Sequence, residues 1–111
     1  MVIRSQDKSR LINFDNIHEL RFWECEQGFD ITDCVCPVGH YSSKEKALKV
    51  LDMIQEAYAK YETIHTSATG LATMSLFIES TNEVNELYMK IQNVLEKAVV
   101  FQMPEDLEVE A

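Results

Sequence analysis

The stretch "SSKEKALKVLDMIQEAYAKY", residues 42–61, decides the fold class because it carries a clear helical pattern. Ser42 followed three residues later by Glu45 is a capping box, which marks the start of a helix. Apolar residues then recur at i, i+3, i+4 and i+7, the spacing of one buried helix face. The sequence therefore predicts an amphipathic helix of about 20 residues. Its apolar stripe consists of Ala47, Val50, Leu51, Ile54, Ala57, Tyr58 and Tyr61.

A second helix is predicted towards the C-terminus. Ser80 and Glu83 repeat the capping box, and an apolar stripe follows as far as about Lys97. Between the helices, "TIHTSATG" at 63–70 is predicted to end the first one. The run "LATMSLFIE" at 71–79 fits a strand or a helical segment equally well, as short apolar runs often do. The second stripe consists of Val84, Leu87, Tyr88, Ile91, Val94, Leu95 and Ala98.

Strands are predicted before the first helix. Val2–Arg4 and Leu11–Phe14 flank the polar turn "SQDKS". The segment "IHELRFWECE" alternates in polarity and predicts a third strand. A turn at Gln27 and Gly28 leads into a fourth, "FDITDCVC", which Pro37 is predicted to end because proline has no N–H for a central ladder.

These elements predict an α+β fold. An N-terminal antiparallel β-meander of three to four strands forms one curved sheet, which packs against two amphipathic helices. The chain of 111 residues suits one domain. Residues 1–104 are predicted to form it, with "VVFQM" at 99–103 as a candidate last strand. Residues 105–111 are predicted to be an acidic C-terminal tail with little reason to pack.

The charge is strongly negative and unevenly distributed. The net charge is −9, and residues 61–111 contain nine acidic residues against only Lys90 and Lys97. Binding to nucleic acid through phosphates needs the opposite sign, so direct nucleic-acid binding and binding to anionic membranes are not expected. An acidic surface instead attracts basic grooves on other proteins. The simpler alternative is that the charge only keeps the protein soluble.

The location of the protein governs how its cysteines are interpreted. The first twenty residues contain no apolar run of signal-peptide length, and no stretch approaches about 18 consecutive apolar residues. A cytoplasmic location is therefore expected. Disulfides rarely persist there, so the three cysteines are expected to be free thiols or metal ligands.

The segment "DCVCPVGH", residues 33–40, combines thiols and an imidazole. Cys34, Cys36 and His40 supply three ligands of the thiolate and imidazole types that zinc favours, and Cys25 is the natural fourth, so a structural Zn²⁺ site is one hypothesis. A two-residue turn at 27–28 would, however, leave Cys25 roughly 13 Å from Cys34, which makes His18 a substitute for it. The alternative is that the thiols are free at a strand edge and His40 is a surface residue.

No enzymatic activity is predicted. Cys36 and His40 resemble a thiol and base pair, but no Asn or Asp partner follows in a recognisable local pattern. The phosphate-binding glycine motifs, H-E-x-x-H and G-x-S-x-G do not occur in the sequence. An interaction protein is therefore the expected class.

Three segments, "VIRSQDKSRLINFDNI", "GHYSSKEKALKVLDMIQEAY" and "VVFQMPED", resemble a group of small proteins carried by phages and integrated elements of Gram-positive bacteria. The group combines an N-terminal strand meander, a G-x-Y-S-S-x-E-x-A helix entry and an F-x-M-P-E ending. The likeness covers both ends and the first helix but not residues 63–98. In size and charge the chain resembles anti-CRISPR proteins from such elements that act on type II-A effector nucleases.

This resemblance implies an inhibitor that binds a CRISPR effector nuclease, with or without guide RNA, in the host cytoplasm and interferes with its DNA engagement. Such nucleases hold guide RNA and target DNA in positively charged channels, which acidic side chains can occupy. The candidate partner-binding residues are carboxylates on the second helix. The alternative is an accessory or structural protein of a mobile element without an inhibitory role. The candidate partner-binding residues on the second helix are Glu79, Glu83, Glu86 and Glu96.

Overall fold

A computed structural model gives the structure of the chain and describes residues 1–33, 36–75 and 82–110. It confirms the α+β class, with an N-terminal set of strands and two helices. Short 3₁₀ turns cover Phe14–Asn16 and Asp106–Glu108. The elements in chain order are β1 (Val2–Arg4), β2 (Leu11–Asn13), β3 (Arg21–Cys25), β4 (Gly28–Thr32), β5 (Pro37–Tyr41), α1 (Lys44–Ser75), α2 (Asn82–Ala98) and β6 (Val100–Gln102).

The strands form two small sheets instead of the single curved sheet that the sequence predicts. One has the order β2-β1-β6 and the other β3-β4-β5. In the first sheet β1 is antiparallel to β2 and parallel to β6, so the buried Ile3 lies between Ile12 and Phe101. The chain leaves this sheet at Asn13, whose side chain accepts a hydrogen bond from the Asp15 amide and caps a 3₁₀ turn. This turn separates β2 from β3.

Pro37 begins a strand instead of ending one. β4 ends at Thr32, and just before β5 the Asp33 carboxylate accepts a hydrogen bond from the Cys36 amide at 2.8 Å. β5 then starts at Pro37 and pairs with β4 as an edge strand. Proline is tolerated at the first position of an edge strand because its missing N–H is not needed by the ladder.

Helix α1 is longer than predicted, with 32 residues. Its cap is Ser43 and not Ser42, since the Ser43 hydroxyl accepts a hydrogen bond from the Lys46 amide at 3.2 Å. The expected helix end at 63–70 is wrong. The hydroxyls of Thr63 and Ser67 donate to carbonyls one turn earlier, so these polar residues are accommodated within the helix. Of the ambiguous run at 71–79, residues 71–75 are helical and the others lie outside the described residues.

The core joins both sheets to α1. The inner face of β3-β4-β5 contributes Ile31 and Tyr41, α1 contributes Val50 and Ile54, and β1 contributes Ile3. Each of these residues is essentially inaccessible to solvent. α2 packs on α1 and on β6, and none of its described side chains belongs to the buried cluster. The molecule is elongated, with extents of 61 × 26 × 21 Å.

The charged C-terminal segment, residues 105–110, packs on the domain although its composition predicts otherwise. Val109 is buried in the core cluster. The Asp106 carboxylate accepts a hydrogen bond from the Ser42 amide at 2.8 Å and lies 3.4 Å from the Lys46 ammonium. The Ser42 amide, followed by the Lys46 charge, lowers the pKa of Asp106. The segment is therefore anchored at the start of α1.

Ser43→Ala should destabilise the protein by about 0.5–2 kcal/mol, because it removes the oxygen that caps the first turn of α1. Chemical unfolding at neutral pH measures this change. Ser67→Ala is the matched control, since it deletes the same atom from an exposed position within α1. Equal effects of the two substitutions would contradict the assignment of Ser43 as the cap.

The turn between β1 and β2 predicts a loss of stability in acid. Hydrogen bonds from the hydroxyls of Ser5 and Ser9 and from the Ser9 amide lower the pKa of Asp7 to about 2. A folded-state pKa below the unfolded one stabilises the fold above about pH 4, and this contribution is lost as the pH falls towards 2.

Asp7→Asn should therefore flatten this part of the pH dependence. The difference between the urea unfolding midpoints of the variant and the parent protein should shrink as the pH falls from 5 to 2. Asp52→Asn, at an exposed position without a hydrogen bond or ion pair among the described residues, is the control. Parallel curves for Asp7→Asn and the parent would contradict the assignment.

Candidate metal-binding site

The register of β3, β4 and β5 places three potential metal ligands together. Cys25 pairs with Gly28 across a turn formed by Glu26 and Gln27, one residue earlier than the turn that the sequence predicts. Asp30 on the central strand pairs with His40 on β5. Because side chains alternate along strands, Cys25, Asp30 and His40 lie diagonally across the outer face of this sheet, opposite to the face that α1 covers.

The three side chains are close enough to share one ion. One potential ligand atom from each of Cys25, Asp30 and His40 lies within 4.8 Å of the other two. His40 Nδ1 is 2.6 Å from Asp30 Oδ1, and the Cys25 thiol donates to the Gly28 carbonyl at 3.3 Å. The Asp30 side chain is 22% exposed and that of His40 47%. The group is therefore partly open to solvent, at the floor of a shallow depression that Glu26 and Gln27 also line.

Gly28 allows the imidazole to lie over the backbone of β4. Its φ of 141° is in the region that L side chains rarely adopt. A Cβ at this position would be 2.5 Å from the Tyr41 carbonyl oxygen and 3.1 Å from Cε1 of His40. A larger residue would therefore strain the turn and push the His40 ring away from Cys25.

The hydrogen bond between Asp30 and His40 has a chemical consequence for metal binding. When no metal is bound, Nδ1–H of His40 donates to the Asp30 carboxylate. An ion that displaces this proton would bind both His40 Nδ1 and Asp30, because imidazole binds metal only when deprotonated. Thiolate, imidazole and carboxylate are all zinc ligands. Cys25, Asp30 and His40 together could thus hold a metal ion.

Of the predicted ligands that the structure describes, only Cys25 and His40 come together. Cys36 lies beside the Thr32 and Pro37 end of the sheet, about four residues along the strands from Cys25, which corresponds to roughly 13 Å. Cys34 lies outside the described residues, and His18 is exposed ahead of β3. The sequence-based reasoning missed Asp30. The turn predicted at 27–28 already places Cys25 on the same face as Asp30. The sequence did not predict β5, however, and only the pairing of β5 with β4 places His40 opposite Asp30.

The predicted acidic residues of α2 do not all share one face. Glu83 and Glu86 are exposed and one turn apart, and Lys90 follows four residues after Glu86. Glu96 is also exposed, but at 3.6 residues per turn it is rotated by about 140° from Glu83. Glu79 lies outside the described residues. Among the described residues, Glu83, Glu86 and Glu96 form no ion pair with another residue of the chain.

The same helix exposes large apolar side chains, which the predicted apolar stripe includes only in part. Leu87 is 51% exposed, Met89 59% and Val94 44%. Tyr88, Ile91 and other residues on the opposite side are partly buried against α1. α2 therefore presents a mixed acidic and apolar surface to solvent.

Comparisons with models of known protein families, with curated proteins and with solved structures found no match. Within the part of the chain that the structure describes, no helix has both the length and the apolar character needed to span a membrane.

Gly28→Ala should destabilise the protein by about 1–3 kcal/mol, the cost of a side chain in a strained backbone conformation. Gly70→Ala in α1 is the matched control. A Cβ there meets nothing within 4 Å, and alanine in a helix interior should stabilise by about 0.5–1 kcal/mol. Thermal unfolding of the two variants should thus shift in opposite directions. A neutral Gly28→Ala change would contradict the described turn.

Proposed function

We propose that the protein is a zinc-binding interaction protein of the bacterial cytoplasm, in which Cys25, Asp30 and His40 hold the ion. The observation that carries the zinc proposal is the convergence of three different ligand side chains within 4.8 Å on three adjacent strands. A mixed sulfur and nitrogen set favours zinc over magnesium or calcium, which prefer oxygen ligands alone. Water or a ligand from a partner completes the tetrahedron.

The expected role of this ion is structural. It would join the β3-β4 turn to the edge strand β5, which is attached to β4 by its ladder and by the hydrogen bond between His40 and Asp30. Its ligands belong to three strands of one small sheet, and a metal that binds only the folded arrangement stabilises it. This hypothesis replaces the ligand set Cys25, Cys34, Cys36 and His40 with one that contains Asp30.

Protein purified without chelators should contain about one zinc ion per chain, measured by elemental analysis, and chelation should lower the melting temperature. Acidification should release the ion, because thiolate and imidazole bind metal only when deprotonated. Cys25→Ser and His40→Ala should each weaken binding by at least about tenfold, as loss of a zinc ligand does. Asp30→Asn should also weaken binding, because a neutral amide oxygen is a poorer zinc ligand than a carboxylate.

Cys36→Ser is the matched control for zinc binding, because it removes a thiol of the same chain far from the group. The Cys36→Ser protein should contain zinc and melt at the same temperature as the parent protein. A chain without bound metal, or a Cys36→Ser protein that loses its zinc, would contradict the proposed site.

We further propose that α2 binds a basic surface of a type II-A CRISPR effector nuclease and interferes with its DNA engagement. What supports the interaction is the exposed surface of this helix, with Glu83 and Glu86 beside Leu87. Carboxylates without internal cation partners steer association with a basic groove, and adjacent apolar side chains supply contact area. The type of partner rests on the resemblance of the two chain ends and α1 to proteins of phages and integrated elements.

An accessory or structural protein of a mobile element is the alternative, and a cleavage assay separates the two functions. Effector nuclease, guide RNA and target DNA are combined with the protein, and cleaved DNA is measured. Inhibition of cleavage supports the effector-nuclease function over an accessory role. Co-purification with the nuclease in the presence and absence of guide RNA then shows which form of the nuclease is bound.

Reversal of both Glu83 and Glu86 to lysine should weaken inhibition and slow association, and added salt should weaken the parent complex. Glu96→Lys is the matched control, because Glu96 is exposed on a different side of the same helix. It should retain most of the inhibition. Inhibition that is unchanged by the double reversal at every salt concentration would contradict the electrostatic mechanism.

A further inference from the structure

A groove at the base of the helical pair contains apolar walls and two cations. Ala57 on α1, Val94 on α2 and Phe101 on β6 are among the residues that line it, and Lys60 and Lys97 lie at the same groove. It encloses about 280 Å³, slightly below the roughly 300–1,000 Å³ of ordinary small-molecule pockets. The groove therefore suits one apolar side chain that is accompanied by negative charge better than it suits a metabolite.

The ammonium groups of Lys60 and Lys97 are placed to contact such an occupant of the groove. Across residues 1–33, 36–75 and 82–110, neither ammonium group lies within ion-pair distance of a carboxylate. Both side chains are exposed. An occupant of the groove should thus combine an apolar side chain with neighbouring carboxylates, which the two ammonium groups would attract.

The C-terminal segment of the same protein has this chemistry. Leu107 is 94% exposed, the highest value among the exposed large apolar residues of the described chain. Exposed Glu105 and Glu108 flank it, together with Asp106. The 3₁₀ turn that carries Leu107 is held in place, since Val109 is buried and Asp106 bonds to the start of α1. The leucine is therefore presented to solvent by an ordered turn.

One chain cannot place its Leu107 in its own groove. Asp106 is anchored at Lys46, whereas the groove begins at Ala57 and Lys60 on α1. These positions are 11 to 14 residues further along the helix, a separation of about 17–21 Å at 1.5 Å per residue. The anchored turn does not span this distance, so a Leu107 that fills this groove must come from another copy of the chain.

We propose that two copies of this chain form a two-fold dimer in which Leu107 of each copy enters the groove of the other. Glu105 and Glu108 then face Lys60 and Lys97 of the opposite groove. In a two-fold arrangement the turn of each copy faces the groove of the other, so both contacts form at once and the assembly closes, whereas a single head-to-tail contact would continue into longer assemblies.

The groove lies away from the zinc group and uses the C-terminal end of α2, at Val94 and Lys97, whereas the proposed partner surface is at the N-terminal end with Glu83 and Glu86. The inference therefore does not depend on either function.

Sedimentation equilibrium of the full chain tests the dimer. We expect a mass that rises with concentration to twice 12.8 kDa and stops there. Leu107→Asp, and separately Lys60→Glu combined with Lys97→Glu, should each raise the dissociation constant by at least about tenfold. Higher salt should also raise it, because the charged contacts are exposed.

Leu11→Asp is the control for Leu107→Asp. Leu11 is 68% exposed on β2 and pairs with Arg4, so an aspartate is tolerated there. Its dimer should be unchanged. Lys90→Glu, on α2 but outside the groove, is the control for the lysine changes. Thermal unfolding checks that every variant remains folded.

Mixing the Leu107→Asp chain with the Lys60→Glu/Lys97→Glu chain tests the two-fold dimer most directly. A Leu107→Asp chain retains its groove, and the Lys60→Glu/Lys97→Glu chain retains its leucine, so a mixed pair forms one intact contact. The mixture should therefore associate more strongly than either variant alone. A single-chain mass at all concentrations, a mass that grows beyond two chains, or a dimer that Leu107→Asp does not weaken would each overturn the proposal.

Discussion

The pairing register of β3, β4 and β5 is the constraint on which the remaining structure depends. A turn of two residues, Glu26 and Gln27, fixes it, and Gly28 allows the backbone to turn so tightly. Side chains alternate between the faces of a strand, so a shift of one residue would exchange them. The observed register places Ile31 in the core under α1 and Asp30 on the outer face beside His40. Core packing and ligand convergence therefore have one cause.

The two ends of the chain are tied to this sheet by a second set of contacts. Tyr41, at the end of β5, is fully buried, and its hydroxyl donates to the Pro104 carbonyl at 2.8 Å. Burial, with the nearby carboxylates of the C-terminal segment, raises the pKa of this hydroxyl well above its usual value, so it remains a donor. The contact holds residues 105–110 near the start of α1. β6, just before it, completes the first sheet through its parallel pairing with β1.

The sequence predicts the elements better than their arrangement. Local patterns identify most strands, and the periodicity around Val50 identifies the buried face of α1. The division into two sheets was not predictable in this way, because the pairing of β1 with β6 joins residues about a hundred positions apart. The metal group was predictable only in part. The residue types of Cys25 and His40 indicate metal ligands, whereas Asp30 joins them because β5 begins at Pro37 and pairs with β4, a strand that the sequence did not predict.

X-ray absorption spectroscopy of the zinc-loaded protein tests this central claim most directly, because it counts the sulfur atoms around the ion. With Cys25, Asp30 and His40 as ligands, the zinc shell should contain one sulfur at about 2.3 Å, with nitrogen and oxygen atoms at about 2.0–2.2 Å. The Cys25→Ser protein should show no sulfur in this shell. Two or more sulfur atoms would require Cys34 or Cys36 in the site, and would contradict the register from which the ligand group follows.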